Sequence, residues 1–212
     1  MLKDAAVVVA TLAGTWIAGS GVNAWKREHT GKRDIELCQD VIEDFYKAEQ
    51  HIRTLRSPMS YPDVESAGRP GRDAETDEQR RNRDTHYVPL ARFNGQQEFW
   101  AEFFSRQFRM RAIFGDQGKE PFDKIDEVLR RFRAAAVTRY QTFEQPGAER
   151  NAELWNNTDR VIWEVQNDDE INTSVRAAIS DMERICMPVV RGEQRAGIVQ
   201  KISAWFNKGK AA

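Results

Sequence analysis

The chain opens with an uncharged, mostly apolar run from Ala5 to Trp25, AAVVVATLAGTWIAGSGVNAW. A helix rises about 1.5 Å per residue, so a run of this length crosses the roughly 30 Å hydrocarbon core of a bilayer. The pattern predicts a transmembrane helix over 5–25. Trp25 falls where an interfacial aromatic belongs, and Gly14, Ala18 and Gly21 place small residues near one face. Lys3 and Asp4 precede the run, whereas Lys26, Arg27, Lys32 and Arg33 follow it. The excess of basic residues after the run puts the body in the cytoplasm and residues 1–4 outside. Two rival readings stand beside the anchor. One is a signal peptide cut near Val22-Asn23-Ala24, and the other is a buried core helix.

Past the run, the apolar positions take a three-four spacing. Ile35, Cys38, Ile42, Phe45, Ile52 and Leu55 trace one face of a helix that stops near Arg56, ahead of Ser57-Pro58. Residues 57–85 are polar and carry Pro58, Pro62, Gly68, Pro70 and Gly71. They predict a mobile loop with a short helix near 76–84. A second long helix is expected over 90–114, rich in phenylalanine and closed by Gly115. A third starts at Pro121 and carries Phe122, Ile125, Val128, Leu129 and Phe132. A fourth is expected over 148–166 and a fifth over 172–190. Period-two alternation is absent over any strand-length stretch. The expected fold is all-α: a transmembrane helix followed by an antiparallel bundle of four to five helices over 26–192.

Residues 193–212 form a separate element. Ile198, Val199, Ile202, Trp205 and Phe206 share a helix face, and Arg195, Lys201, Lys208 and Lys210 supply positive charge. A basic helix with Trp and Phe lies readily on anionic lipid. The competing arrangement docks this helix on the bundle.

Composition narrows the function. The 212 residues carry 32 basic and 33 acidic side chains, so no global basic field exists for gripping nucleic acid. Two cysteines are too few for a disulfide scaffold. Cys38 and Cys186 fall in apolar phase and read as buried thiols. The phosphate loop, the dinucleotide fingerprint, the nucleophile elbow and the zinc helix are all missing. His29, His51 and His86 have Lys26, Ala48 and Arg83 three positions upstream, so the Glu-x-x-His motif of di-iron bundles is missing too. Asp168-Asp169-Glu170 lacks the spacing of a calcium loop and reads as a cap for the fifth helix. No cofactor, metal ligand or catalytic residue is assigned. The candidate contacts to a partner or to lipid are Arg53, Arg56, Arg195, Lys201, Trp205, Phe206 and Lys208. Arg53 and Arg56 suggest an anion site shared with Arg69 and Arg72, against a plain solvated helix end.

One resemblance rests on several short stretches: Phe45-Tyr46-Lys47-Ala48-Glu49, Ile52-Arg53-Thr54-Leu55-Arg56-Ser57-Pro58, Tyr87-Val88-Pro89 and Ile185-Cys186-x-Pro188. Together with the anchor they resemble a group of uncharacterised bacterial proteins with one membrane anchor and a helical cytoplasmic body. The resemblance implies a bacterial origin and the anchor-plus-bundle layout, and supplies no site residues; with the expected topology, the expected location is the bacterial inner membrane. The leading expectation is a membrane-anchored interaction or scaffold protein. It meets the bilayer and a protein partner, or a second copy of itself. A ligand-sensing bundle, with a small molecule among the aromatics of the second long helix, comes next. An enzyme without a recognisable motif comes third.

Overall fold

The computed structural model describes residues 31–144, 152–164 and 169–192. The expected anchor over 5–25 and the tail over 193–212 lie outside these residues. Among the described residues no helix is long and apolar enough to cross a membrane.

Seven α-helices follow one another, with no strand among the described residues. They are α1 (31–56), α2 (Pro62–Glu65), α3 (Asp77–Gly95), α4 (Gln97–Phe114), α5 (Glu120–Thr142), α6 (Ala152–Ile162) and α7 (Glu170–Val190). Short 3₁₀ turns at Arg72–Ala74 and Gly115–Gly118 connect some of them. The described residues divide into two compact units, one from Val41 to Ile185 and the other from the flanking segments 31–40 and 186–192.

In the larger unit, α5 shows why the all-α expectation holds. Pro121 supplies a preset first turn, and Phe122, Ile125, Val128, Leu129, Phe132, Ala135 and Ala136 all face inward. This stripe packs against α3 and against α6. From α1, Val41, Phe45, Ala48, Ile52 and Leu55 are buried. Phe45 meets Phe103 of α4 and Phe122 of α5, each at a ring-centroid distance of 5.0 Å. His51 stacks on Phe99 at 3.8 Å, and Trp100 and Phe104 surround Phe103. Trp100 and Phe103 are thus the buried aromatics of α4, packed edge to face with a ring-centroid distance of 5.8 Å.

Two expectations about elements change. The long helix over 90–114 is really the end of α3 and the whole of α4. The break falls at Gln96, whose φ of −107° and ψ of 9° leave the helical region directly after Asn94-Gly95. The segment 57–85 is also no structureless loop, since it holds α2, a 3₁₀ turn and the start of α3. A capping box opens α3, with the Thr76 hydroxyl accepting from Gln79 N and the Gln79 carboxamide accepting from Thr76 N. Pro89 lies inside α3 and is buried. The bundle thus has more helices than the four to five expected.

Gly118 is the tightest backbone approach. A Cβ built there would lie 2.6 Å from the Met110 carbonyl oxygen and 2.9 Å from its carbon. Only glycine lets the connection fold back against the last turns of α4. Gly115, at φ 69°, closes α4 in the left-handed region that glycine tolerates.

In the smaller unit, Leu37 and Cys38 of α1 and Cys186 of α7 are buried, as the apolar phase of the cysteines predicts. Both thiols are free. Hydrogen bonding to Cys38, reinforced by burial, pushes the Cys186 thiol far up. The same hydrogen bond lowers the Cys38 thiol, against the effect of burial.

Candidate functional site

The most highly organised part of the surface is the segment from Ser57 to Glu75 with its partners on α3. Its order comes from arginines. Arg92 of α3 donates to the carbonyls of Thr54 (3.3 Å), Ser57 (2.6 Å) and Met59 (2.5 Å), and forks onto Glu65 at 2.5 and 3.1 Å. Glu65 also accepts from Tyr61 N at 2.7 Å, closing the single turn of α2 from both ends. The Arg92 side chain holds the Glu65 carboxyl below the usual range. Arg92 is thus a clamp that fixes the path of residues 54–65.

Below this clamp is a buried ionic knot. Asp84 is fully buried and accepts from Arg69 Nε and Arg72 Nε, both at 2.9 Å. Arg69 forks onto Glu75, and Glu75 also accepts from Arg83 Nη1 at 2.8 Å. Arg83 reaches Glu144 at 2.7 and 2.9 Å. Ser66 donates to the Asp84 carbonyl at 2.8 Å. The Arg69 guanidinium, helped by Arg83, holds the Glu75 carboxyl down at about 2. Burying charge is costly unless each group is paired and hydrogen-bonded, and the carboxylates here meet both conditions.

This segment presents three large apolar side chains to solvent. Met59 is 73% exposed, Tyr61 68% and Val64 76%. Flexible loops scatter such residues. Here the clamped backbone holds them on one short, rigid segment.

Of the residues singled out from sequence, Arg53 is exposed on α1 and pairs with Glu49 at 3.2 Å. Arg56 has a different role from the expected anion contact. Its side chain is 1% exposed. It donates to the carbonyls of Val161 (2.9 Å), Arg160 (2.9 Å) and Trp163 (3.2 Å), to Asp169 at 3.1 and 2.5 Å, and to Asn172 at 3.3 Å. These contacts occupy all five of its N–H donors. Arg56 therefore ties the open carbonyls at the end of α6 to the start of α7, with no donor left for an external anion. Arg69 and Arg72 are likewise committed to carboxylates, and the shared anion site does not form. Arg195, Lys201, Trp205, Phe206 and Lys208 lie outside the described residues.

Asp169 caps α7, accepting from Asn172 N at 2.8 Å, as the acidic triplet suggests. Burial pushes its carboxyl up, but the Arg56 fork and the Asn172 N–H outweigh this and hold it below the usual value. Beside this junction a cavity of about 450 Å³ is lined by Arg131, Arg160, Val161, Trp163, Asp169 and Ile171, among others. Its volume is in the range of small-molecule sites. Arg131 is neutralised by Glu170 at 2.7 and 2.9 Å. Among the described residues, no cluster of three or more His, Cys, Asp or Glu side chains is arranged to hold a metal ion.

Sequence reasoning missed the Arg92 clamp, the Asp84 knot and the platform they support. The partners are far apart in the chain, and the polar composition that hides them is the usual mark of a loop. No family model, no curated protein and no solved structure matches this chain.

Proposed function

We propose that the chain is a membrane-anchored helical interaction protein acting at the cytoplasmic face of a bacterial inner membrane. In this reading residues 5–25 are the anchor, and the helical body presents Met59, Tyr61 and Val64 to a protein partner. The carrying observation is the exposure of these three side chains on a backbone locked by Arg92. A rigid apolar patch loses little conformational entropy on docking, so burying it yields net affinity. The uncharged run and the basic residues after it support the placement at the membrane.

Two measurements test this. A photo-crosslinking side chain at position 61 of the full chain, in cells, should give one discrete adduct that Val64→Asp abolishes. The same side chain at the exposed position 47 should give none. Equal labelling from both positions, or none from either, would reject the platform. A reporter active only in the cytoplasm, fused to the carboxy terminus, should be active and membrane-bound. A soluble, shortened periplasmic product would overturn the anchor.

The cavity beside Trp163 favours a second reading, a sensor of small ligands. Arg160 and Trp163 suit an aromatic carboxylate. Thermal stabilisation by such compounds that Arg160→Gln removes would support it, and a flat response would count against it.

A further inference from the structure

We propose that α4 is the self-association face of this protein, pairing antiparallel with α4 of a second copy. This stands on residues separate from the Met59–Val64 platform and does not depend on the anchor. The buried side of α4 carries Trp100, Phe103 and Met110. Its far side carries Ala101, Phe104, Phe108 and Ala112 at spacings of three, four and four, which is one stripe on a helix. Ala101 and Ala112 are exposed and Phe104 is half-buried. Phe108 is 71% exposed. Phe104 is covered in part by Trp100 and Phe103, and Phe108 stands open.

The occupant follows from the order of residues. Reversed about a point near Arg106, the stripe matches itself: Phe104 falls opposite Phe108, and Ala101 opposite Ala112. A two-fold axis there makes an isologous seam with two rings from each copy at its centre and small residues at its ends. The charges obey the same symmetry. Glu102 and Arg109 lie on one flank of the stripe, two helical turns apart. The Glu102 side chain is 72% exposed, with a loose 3.6 Å contact to Arg106. Arg109 is exposed and forms no ion pair among the described residues. In an antiparallel pair like flanks face each other, so each Glu102 meets the second copy's Arg109, twice per dimer. In a parallel pair these flanks would lie on opposite sides of the seam.

Sedimentation equilibrium of the full chain, in a density-matched neutral detergent, measures the association. The wild-type chain should be dimeric at micromolar concentration. Phe108→Glu should weaken the dimer about a hundredfold, because it places two carboxylates in the apolar centre. Glu102→Arg and Arg109→Glu should each weaken self-association about tenfold, since each sets like charges opposite one another. An equimolar mixture of these two single variants should regain the dimeric mass, as one copy then carries two arginines and the other two glutamates. The doubly swapped chain should dimerise like wild type. A monomeric wild-type chain overturns the proposal. So does a dimer that ignores Phe108→Glu, or single variants that fail to pair when mixed.

Discussion

Phe45, Phe103 and Phe122 meet with ring centroids 5.0 Å apart, while Asp84 sits fully buried between two arginine Nε atoms at 2.9 Å. Both clusters belong to the unit from Val41 to Ile185. Ring packing is non-directional and roughly proportional to the area removed from water. It tolerates a change of shape if volume is kept. The ionic knot is directional. Each carboxylate oxygen of Asp84 has one assigned donor, and the positions of Arg69 and Arg72 fix the course of the segment that carries them. Aromatic packing therefore gives the body its cohesion, and the knot gives the surface segment one defined path. Such a division suits a protein that must present a few exposed side chains in a fixed arrangement.

The comparison breaks most sharply under truncation and conservative replacement together. Phe103→Ala and Asp84→Ala should each cost about 3–5 kcal/mol, the first through a cavity and the second through loss of the buried carboxylate that joins Arg69 to Arg72. Conservative variants separate them. Phe103→Leu should recover most of the loss, because an apolar side chain refills much of the space. Asp84→Asn, nearly isosteric, should recover little, because its amide cannot neutralise Arg69 and Arg72. Urea unfolding followed by circular dichroism reads all four midpoints. Equal rescue at both positions would mean that Asp84 acts through shape alone. Arg56→Lys should cost about 3 kcal/mol, because an ammonium cannot serve the carbonyls of Arg160, Val161 and Trp163 together with Asp169. A loss below about 0.5 kcal/mol, the size of an exposed pair, would show that water replaces the guanidinium easily.

The two clusters were unequally legible. Along α5 every stripe position is buried, so periodicity alone finds Ile125, Val128, Leu129 and Phe132. On α1 the stripe is read slightly off centre: Val41 and Ala48 are fully buried, while Ile42 is only half so. The knot leaves no periodic trace. Ser66 bonds to Asp84 across eighteen positions and Arg83 to Glu144 across sixty-one, and a single chain does not advertise such pairings. Two local signals in this region were readable. Thr76-x-x-Gln79 is a capping box, and Asn94-Gly95 marks the end of α3. Arg56 misled for a related reason: its partners lie more than one hundred positions downstream, so it resembled a free helix-end cation.

A smaller effect tests whether the aromatic side is as close-packed as its ring distances imply. Gly118→Ala should cost about 1–3 kcal/mol, since its Cβ would meet the Met110 backbone at 2.6 Å and neither element can shift freely. Gly95, at the opposite end of α4, has nothing within 4 Å of a built Cβ. Gly95→Ala, which adds a methyl at the end of a helix, should be neutral or slightly stabilising. Similar thermal shifts for the two variants would mean that the 3₁₀ turn after α4 adapts.

Acid should read a separate histidine stack and then the ionic knot, with the smallest effect of the set. His86 stacks on Phe143 at 4.3 Å, where burial, with Arg139 nearby, lowers its imidazole below the ordinary 6.5. Glu144 opposes this shift from the same neighbourhood. Below pH 6.5 the unfolded chain takes up this proton before the folded one does. Stability must therefore rise with pH through that window and fall on acidification. Glu75 behaves differently. Its carboxyl is held at about 2 against 4.5 when unpaired, so its contribution is complete above pH 4.5 and is lost only as the pH falls toward 2. Unfolding midpoints measured from pH 8 to pH 2 should show a shallow first decline that His86→Phe removes, because phenylalanine keeps the stack and cannot titrate. The steeper second decline should survive His86→Phe and shrink in Glu75→Gln. If His86→Phe left the first decline intact, another group would be titrating there. If Glu75→Gln removed both, the His86 stack and the ionic knot would be coupled rather than separately held.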